Sequence, residues 1–181
     1  PVMEMNEELN EKKMIATTRM FGKAVTSLAE IKEAVATYIS RSAEKLRRQQ
    51  SAATVLHVFV VYKDGAAKKT DGHFSHGSTL SRSMILSNAT CNTNELIKPA
   101  MVLAAQLFEK GKLYKKAGVI LSGLVPDNAV QGNLFVPAEK NNSRMLMGMM
   151  DNINFSMRDD ILKFAASGTR RNWKMRQEYR S

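Results

Sequence analysis

The sequence predicts an α+β domain of order βαββαβ: a four-stranded antiparallel sheet with two helices on one face, followed by a small irregular α/β extension. Three observations predict it. Apolar residues recur every three or four positions in two separated stretches, and alternate or run continuously in four others. These stretches fall in the order strand, helix, strand, strand, helix, strand, which places both helices on one side of an antiparallel sheet. Finally, 181 residues with 44% hydrophobic content make one ordinary domain plus an extension, with enough apolar material for a core.

The elements follow in order. Residues 1–13 are polar and acidic and read as a linker, and the chain reads as a piece of a longer protein. Residues 14–21 (MIATTRMF) have strand-forming character, with Arg19 inside the run. Ser27-Leu28-Ala29-Glu30 is a capping-box pattern that opens a helix. Leu28, Ile31, Val35, Tyr38, Ser42 and Leu46 form one face of it, and Lys45, Arg47 and Arg48 suit its negative dipole end. Thr54–Tyr62 (TVLHVFVVY) is β-branched and apolar on both faces, which predicts a central strand. Asp64-Gly65 is turn chemistry, and residues 66–79 read as irregular chain or an edge strand. Leu80–Leu86 is a strand with a polar side at Ser81 and Ser83. Leu96, Ala100, Leu103, Ala104 and Leu107 line a second helix. Pro99 lacks a backbone donor and belongs in a first turn, so regular helix is expected from about Lys98, with Gly111 as its C-cap. Lys115–Leu124 is the last strand of a domain spanning 14–125.

After Pro126 the character changes. Residues 126–142 read as a linker broken by the apolar pair Leu134-Phe135. Residues 143–155 are Met-rich and predict a short helix, and Ile161–Phe164 a short strand. The end of the chain carries Arg170, Arg171, Lys174, Arg176 and Arg180 around a lone Trp173.

The formal net charge is +10, which points first to a polyanion, usually nucleic acid, and second to an anionic membrane. No apolar run is long enough to cross a bilayer. The single cysteine, Cys91, allows no intramolecular disulfide and no Cys-rich zinc site, and fits a reducing compartment. His73 and His76 lack a nearby carboxylate or thiol and read as loop histidines; His57 reads as a sheet-face histidine. Asp159 and Asp160 are adjacent and would diverge on a strand, so they do not read as the metal clamp of a nuclease. No phosphate-binding P-loop and no nucleophile elbow occurs. No catalytic residue, metal site or cofactor is expected in this chain. Arg19 and Lys23 flank the first strand, Arg82 lies in the third, and Lys115-Lys116 opens the fourth, accompanied by Thr17, Thr18, Ser81 and Ser83. Cations and hydroxyls on strands are what phosphate-backbone contacts need.

Several motifs together carry a resemblance: Thr18-Arg19-Met20-Phe21-Gly22, Leu28-Ala29-Glu30-Ile31-Lys32, Phe74-Ser75-His76-Gly77, and Lys115-Lys116-Ala117-Gly118-Val119. In them Lys13–Leu124 resembles the little-finger domain of Y-family translesion DNA polymerases, and most of all the bacterial UmuC type. The likeness continues through Gln131-Gly132-Asn133-Leu134-Phe135, the Met-rich stretch and Trp173-Lys174-Met175-Arg176. It implies a C-terminal region of an error-prone polymerase of DNA repair and the SOS response, bacterial, cytoplasmic and nucleoid-associated. In this reading the domain grips primer–template duplex, with Thr18, Arg19, Lys23, His76, Arg82, Lys115 and Lys116 at the matching positions. The catalytic palm and its magnesium would lie outside these residues. The resemblance also implies two protein partners, a β sliding clamp and a UmuD-like regulatory subunit. Gln131–Phe135 is similar to the clamp-binding motif of bacterial polymerases: Gln131 and Asn133 supply amides, and Leu134 and Phe135 fill an apolar pocket. Gly132 stands where the family has a larger apolar residue, so weaker docking is expected. An ordinary loop whose Leu-Phe pair packs on its own domain is the other reading. The basic end suits nucleic acid or a protein partner; alternatively it is a solvated tail with Trp173 tucked onto the Met-rich helix. A protein-interaction domain of the same architecture, without DNA binding, is the competing function.

Overall fold

The computed structural model describes residues 13–64, 77–129, 141–157 and 160–175. Within them the element order is β1 (Met14–Val25), α1 (Leu28–Arg48), β2 (Ser51–Asp64), β3 (Ser78–Thr90), α2 (Thr93–Leu107), β4 (Lys112–Pro126) and α3 (Asn141–Ser156), with short 3-10 turns at Asp127–Ala129 and Ala165–Ser167. The four strands form one antiparallel sheet in the order β1-β4-β2-β3. The predicted α+β class and βαββαβ order are therefore the observed ones, and β2 is an inner strand as its two apolar faces required.

Both helices cover one face of the sheet. Ile31, Val35, Tyr38, Ile39 and Leu46 of α1 and Leu96, Ala100, Leu103, Ala104 and Leu107 of α2 are buried. They meet Ile15, Leu56, Val58, Val60, Ala117, Val119 and Leu121 of the sheet in one apolar cluster. Each fully buried Leu, Ile or Val contributes roughly 1.5–3 kcal/mol, so this layer holds the domain together. Among the described residues, the other sheet face carries no helix.

Four local expectations are corrected. Ser27 occupies the N-cap position of α1, but its side chain makes no capping bond; Glu30 instead lies 4.0 Å from Lys23. The helix start rests on the ordinary Ile31 N–H to Ser27 carbonyl bond. Helix α2 begins at Thr93, well before Lys98, because Asn92 caps it by accepting from the Asn94 N–H at 3.0 Å. Pro99 therefore sits inside the helix, where the missing donor falls opposite the carbonyl of Glu95, an exposed residue. The C-cap of α2 is Phe108; Gly111, at φ 92°, makes the turn into β4. Finally, Ile161–Phe164 is not a strand. The Asn154 amide takes both backbone groups of Leu162, donating to its carbonyl at 2.9 Å and accepting its N–H at 2.8 Å. Among the described residues the extension's strand pairing lies later, in a single bridge between Phe21 and Lys174.

The Met-rich stretch is helical, as α3, but only Met147 is buried while Met145, Leu146, Met149 and Ile153 are exposed. A bidentate pair attaches it: Arg47 donates to Asp151 at 2.6 and 2.8 Å. The following segment crosses α1 and reaches the outer edge of β1. There the Gly22 N–H donates to the Trp173 carbonyl at 2.9 Å. A Cβ at Gly22 would stand 2.9 Å from the Met175 Cα, so the close approach requires glycine.

Candidate nucleic-acid interface

Antiparallel register fixes which side chains share a face, because directly paired residues point the same way. Four rows cross the uncovered face from β1 to β3: Met20, Lys116, Val61 and Thr79; Thr18, Gly118, Phe59 and Ser81; Ala16, Ile120, His57 and Ser83; Met14, Ser122, Val55 and Ile85. None of these is an Asp or Glu. Hydroxyls are spread through them, and His57 Nε2 lies 3.2 Å from the Ser122 hydroxyl. Phe59 lies across Gly118, where a Cβ would be 2.4 Å from the ring. The missing side chain thus lets an aromatic lie flat and keeps the surface shallow. Ile85, 80% exposed, is the most prominent apolar side chain on it.

The cations of this face gather at one end. β4 carries an extra residue there: Lys116 pairs with Val61 while Tyr114 pairs with Tyr62, leaving Lys115 in a bulge. Lys63, the next position after Val61 on this side of β2, is its neighbour. Close contact with the Lys63 ammonium, more than loss of solvent, lowers the Lys115 pKa. Lys112 nearby is different. Its charge is taken up by Glu109 at 2.8 Å and by the Tyr62 ring at 3.8 Å from the ring centre. Lys63, Lys115 and Lys116 have no carboxylate within ion-pair distance among the described residues.

The structure divides the residues named from sequence. Thr18, Lys115 and Lys116 lie on the uncovered face, although Thr18 also donates to the Ala117 carbonyl at 3.2 Å. Arg19 and Arg82 do not. Arg19 shares a row with Ala117, Val60 and Leu80, and Arg82 one with Thr17, Val119 and Val58. Both rows face the helices, as the bond from Ser42 on α1 to Thr17 at 2.7 Å shows. Strand period 2 forces this, since Arg19 must oppose Thr18. Lys23 lies in the irregular end of β1 beside Glu30. His76 and the pentapeptide residues Gln131, Asn133, Leu134 and Phe135 lie outside the described residues. Lys63 was missed: the predicted strand stopped at Tyr62, and the bulge that brings Lys115 to Lys63 has no sequence signal.

Trp173 takes neither of the two expected roles. It is 3% exposed, so it offers no ring to a base, and it packs on the main domain. Its ring meets Phe21 at 6.1 Å and Tyr38 at 5.9 Å, both edge-on, and its Nε1 donates to Glu33 at 3.4 Å. Asp160 braces the same segment, accepting from Arg171 at 3.0 Å and Arg41 at 3.3 Å. Burial alone would raise its carboxyl, but these two guanidinium groups outweigh it and hold the pKa below the usual carboxylate value.

The model of the impB/mucB/samB family C-terminal domain matches residues 12–134, and one described only as a domain of unknown function matches residues 144–181. Protein UmuC of Salmonella typhimurium is 29% identical over 179 residues, 98% of this chain and 41% of that protein. Protein MucB of Escherichia coli is 29% identical over 175 residues, 96% of this chain and 40% of that protein. The chain thus spans about two fifths of the length of the curated relatives it matches. Among solved structures, a complex of β-clamp processivity factor and the little finger domain of PolIV aligns with a TM-score of 0.44 at 13% identity, covering 68% of this chain and 99% of that one. DinB from Sulfolobus solfataricus aligns at 0.43 and 12%, covering 60% of this chain and 28% of that one. The family match covers every strand and helix of the sheet domain: the chain belongs to the impB/mucB/samB family and carries its C-terminal domain.

Proposed function

We propose that this chain is the DNA-holding C-terminal region of an error-prone translesion polymerase of the UmuC type, and that the uncovered sheet face grips duplex through phosphates. The observation that carries the proposal is the acid-free face with Lys63, Lys115 and Lys116 massed at one end. Like charges held together without a carboxylate are relieved by a polyanion, and hydroxyls spread over a shallow surface can donate to a sugar–phosphate backbone without reading bases. Polymerase chemistry and its magnesium belong, in this proposal, to the part of the relatives' length that this chain does not span.

Replacing Lys63, Lys115 and Lys116 together with Gln is expected to weaken duplex binding equally for all sequences. It should lower the slope of log affinity against log salt by about 2–3, near 0.9 per lost phosphate contact. Filter binding or fluorescence anisotropy across a salt series measures it. Undetectable duplex binding by the unmodified chain at low salt would sink the proposal and favour the protein-interaction domain.

Clamp docking is proposed on the pentapeptide Gln131–Phe135. The pair Leu134→Ala and Phe135→Ala should reduce affinity for a β sliding clamp at least tenfold, about 1.4 kcal/mol, since apolar anchors dominate such contacts. Unchanged affinity in surface plasmon resonance would refute it.

A further inference from the structure

Where the C-terminal segment docks, it closes a groove on the helix side of the β1 edge. Arg19 of β1, Arg41 of α1 and Arg170, Arg171 and Lys174 of the segment line this groove. Three acids contact residues that line it, and each is engaged. Asp160 pairs with Arg41 and Arg171, Glu30 lies 4.0 Å from Lys23, and Glu33 accepts from Trp173. Arg19, Arg170 and Lys174 are left with no carboxylate within ion-pair distance among the described residues.

A second observation points to a ligand. Tyr38 lines the groove and is 1% exposed. Its hydroxyl is the single buried side-chain polar atom among the described residues without a hydrogen-bond partner. Buried polar groups are nearly always paired, so an exception calls for an explanation. Burial, opposed by the charges of Arg19 and Arg41, pushes its pKa up to about 12. The phenol therefore keeps its proton at neutral pH and is available as a donor. Guanidinium forks, an ammonium and a phenolic O–H form a donor set matched to a phosphate. With Tyr38 and Trp173 both buried, no aromatic ring among the described lining residues is exposed for a base to stack on.

We propose that this groove binds the phosphodiester backbone of a single nucleic-acid strand, as a second anchor reached by passing round the β1 edge from the uncovered sheet face. Position carries this choice of ligand: Thr18 lies on the sheet surface, Arg19 beside it faces the groove, and Met20, in a sheet-face row, borders the groove as well, so one edge strand separates the two. The identity of the ligand rests on the nucleic-acid reading of the sheet face; the groove itself does not.

The test compares the whole chain with two sets of variants on a blunt duplex and on the same duplex with a single-stranded overhang. Arg19→Gln with Arg170→Gln should remove the overhang's advantage, at least fivefold at low salt. It should also lower its salt slope by about 1.4, near 0.7 per single-strand contact, and leave blunt-duplex affinity unchanged. The Lys63, Lys115 and Lys116 variants should do the converse. Tyr38→Phe should bind the overhang more weakly with an unaltered or higher melting temperature, which a purely structural tyrosine would not show. If the unmodified chain binds only the overhang form, the sheet-face reading fails and the groove stands. Equal overhang affinity in the unmodified chain and the arginine variants overturns the groove. So does displacement of the overhang by inorganic phosphate at matched ionic strength, which would make it a free-phosphate site. Competition by polyglutamate, but not by an unlabelled single strand, would make the ligand an acidic protein segment and overturn it equally.

Discussion

Trp173→Ala is expected to destabilise the C-terminal segment by about 3 kcal/mol, the lower end for a buried Trp truncated to Ala. The side chain is buried against Phe21 and Tyr38, edge-on to both rings, and such aromatic pairs add about 0.5–1.5 kcal/mol to the area term. Its removal also leaves Glu33 without the indole donor. The loss should be local rather than global, because among the described residues the segment joins the β1 backbone through a single bridge, Phe21 to Lys174, closed by the bond from the Gly22 N–H to the Trp173 carbonyl. Hydrogen exchange reads it directly: the Gly22 amide, held by the Trp173 carbonyl at 2.9 Å, should lose protection while Val58 and Val119 in the inner strands keep theirs. Trypsin should then cut at Arg170 and Arg171 faster than in the unmodified chain. Unchanged Gly22 protection would mean that the segment is held by Asp160 and its two arginines alone.

The contrast between what sequence showed and what it hid follows from the range of each interaction. The βαββαβ order was legible because strand and helix periods are local, and Leu56, Val58 and Val60 or Ile31, Val35 and Tyr38 reveal their buried faces within one element. The face taken by each cation on a strand was less legible. Met14, Ala16, Thr18 and Met20 are hardly more polar than Ile15, Thr17, Arg19 and Phe21, so β1 does not declare which set faces the helices. Thr17 and Thr18 are chemically the same, yet one is bonded to Ser42 under α1 and the other lies on the uncovered face. The Lys63–Lys115 contact depends on a bulge, and Trp173 finds Tyr38 across more than a hundred residues; neither leaves a local trace. The start of α2 was different, since Asn92 is an ordinary cap signal. There the weight given to Pro99 displaced a boundary that was readable.

Arg47→Met should melt α3. This helix has sixteen residues, close to the length at which an isolated helix is marginal even with strong helix formers. Gly148 and the asparagines at 152 and 154 lower its intrinsic preference further. It buries only Met147 among its apolar residues, so tertiary anchors must hold it. Arg47 is the strongest of them. Its guanidinium makes two bonds to Asp151, at 2.6 and 2.8 Å, and two more into the α2 start, to the Cys91 carbonyl at 2.7 Å and Thr93 at 3.0 Å. The side chains of Arg47 and Asp151 retain only 13% and 21% exposure, so removing one leaves the other partly desolvated. The expected cost is about 2–3 kcal/mol, below the full penalty of a completely buried pair. Far-UV circular dichroism should show the loss of roughly one helix of this length, with the sheet domain's urea midpoint little changed. Arg47→Lys should not rescue it, because an ammonium cannot span Asp151, Cys91 and Thr93 at once. The double variant Arg47→Met with Asp151→Leu should recover much of the signal, since no unpaired charge remains and apolar contact replaces the pair. Full helicity in Arg47→Met would instead assign the anchoring to Ser143 on Asn92, at 2.8 Å, and to Arg48 over the Phe155 ring.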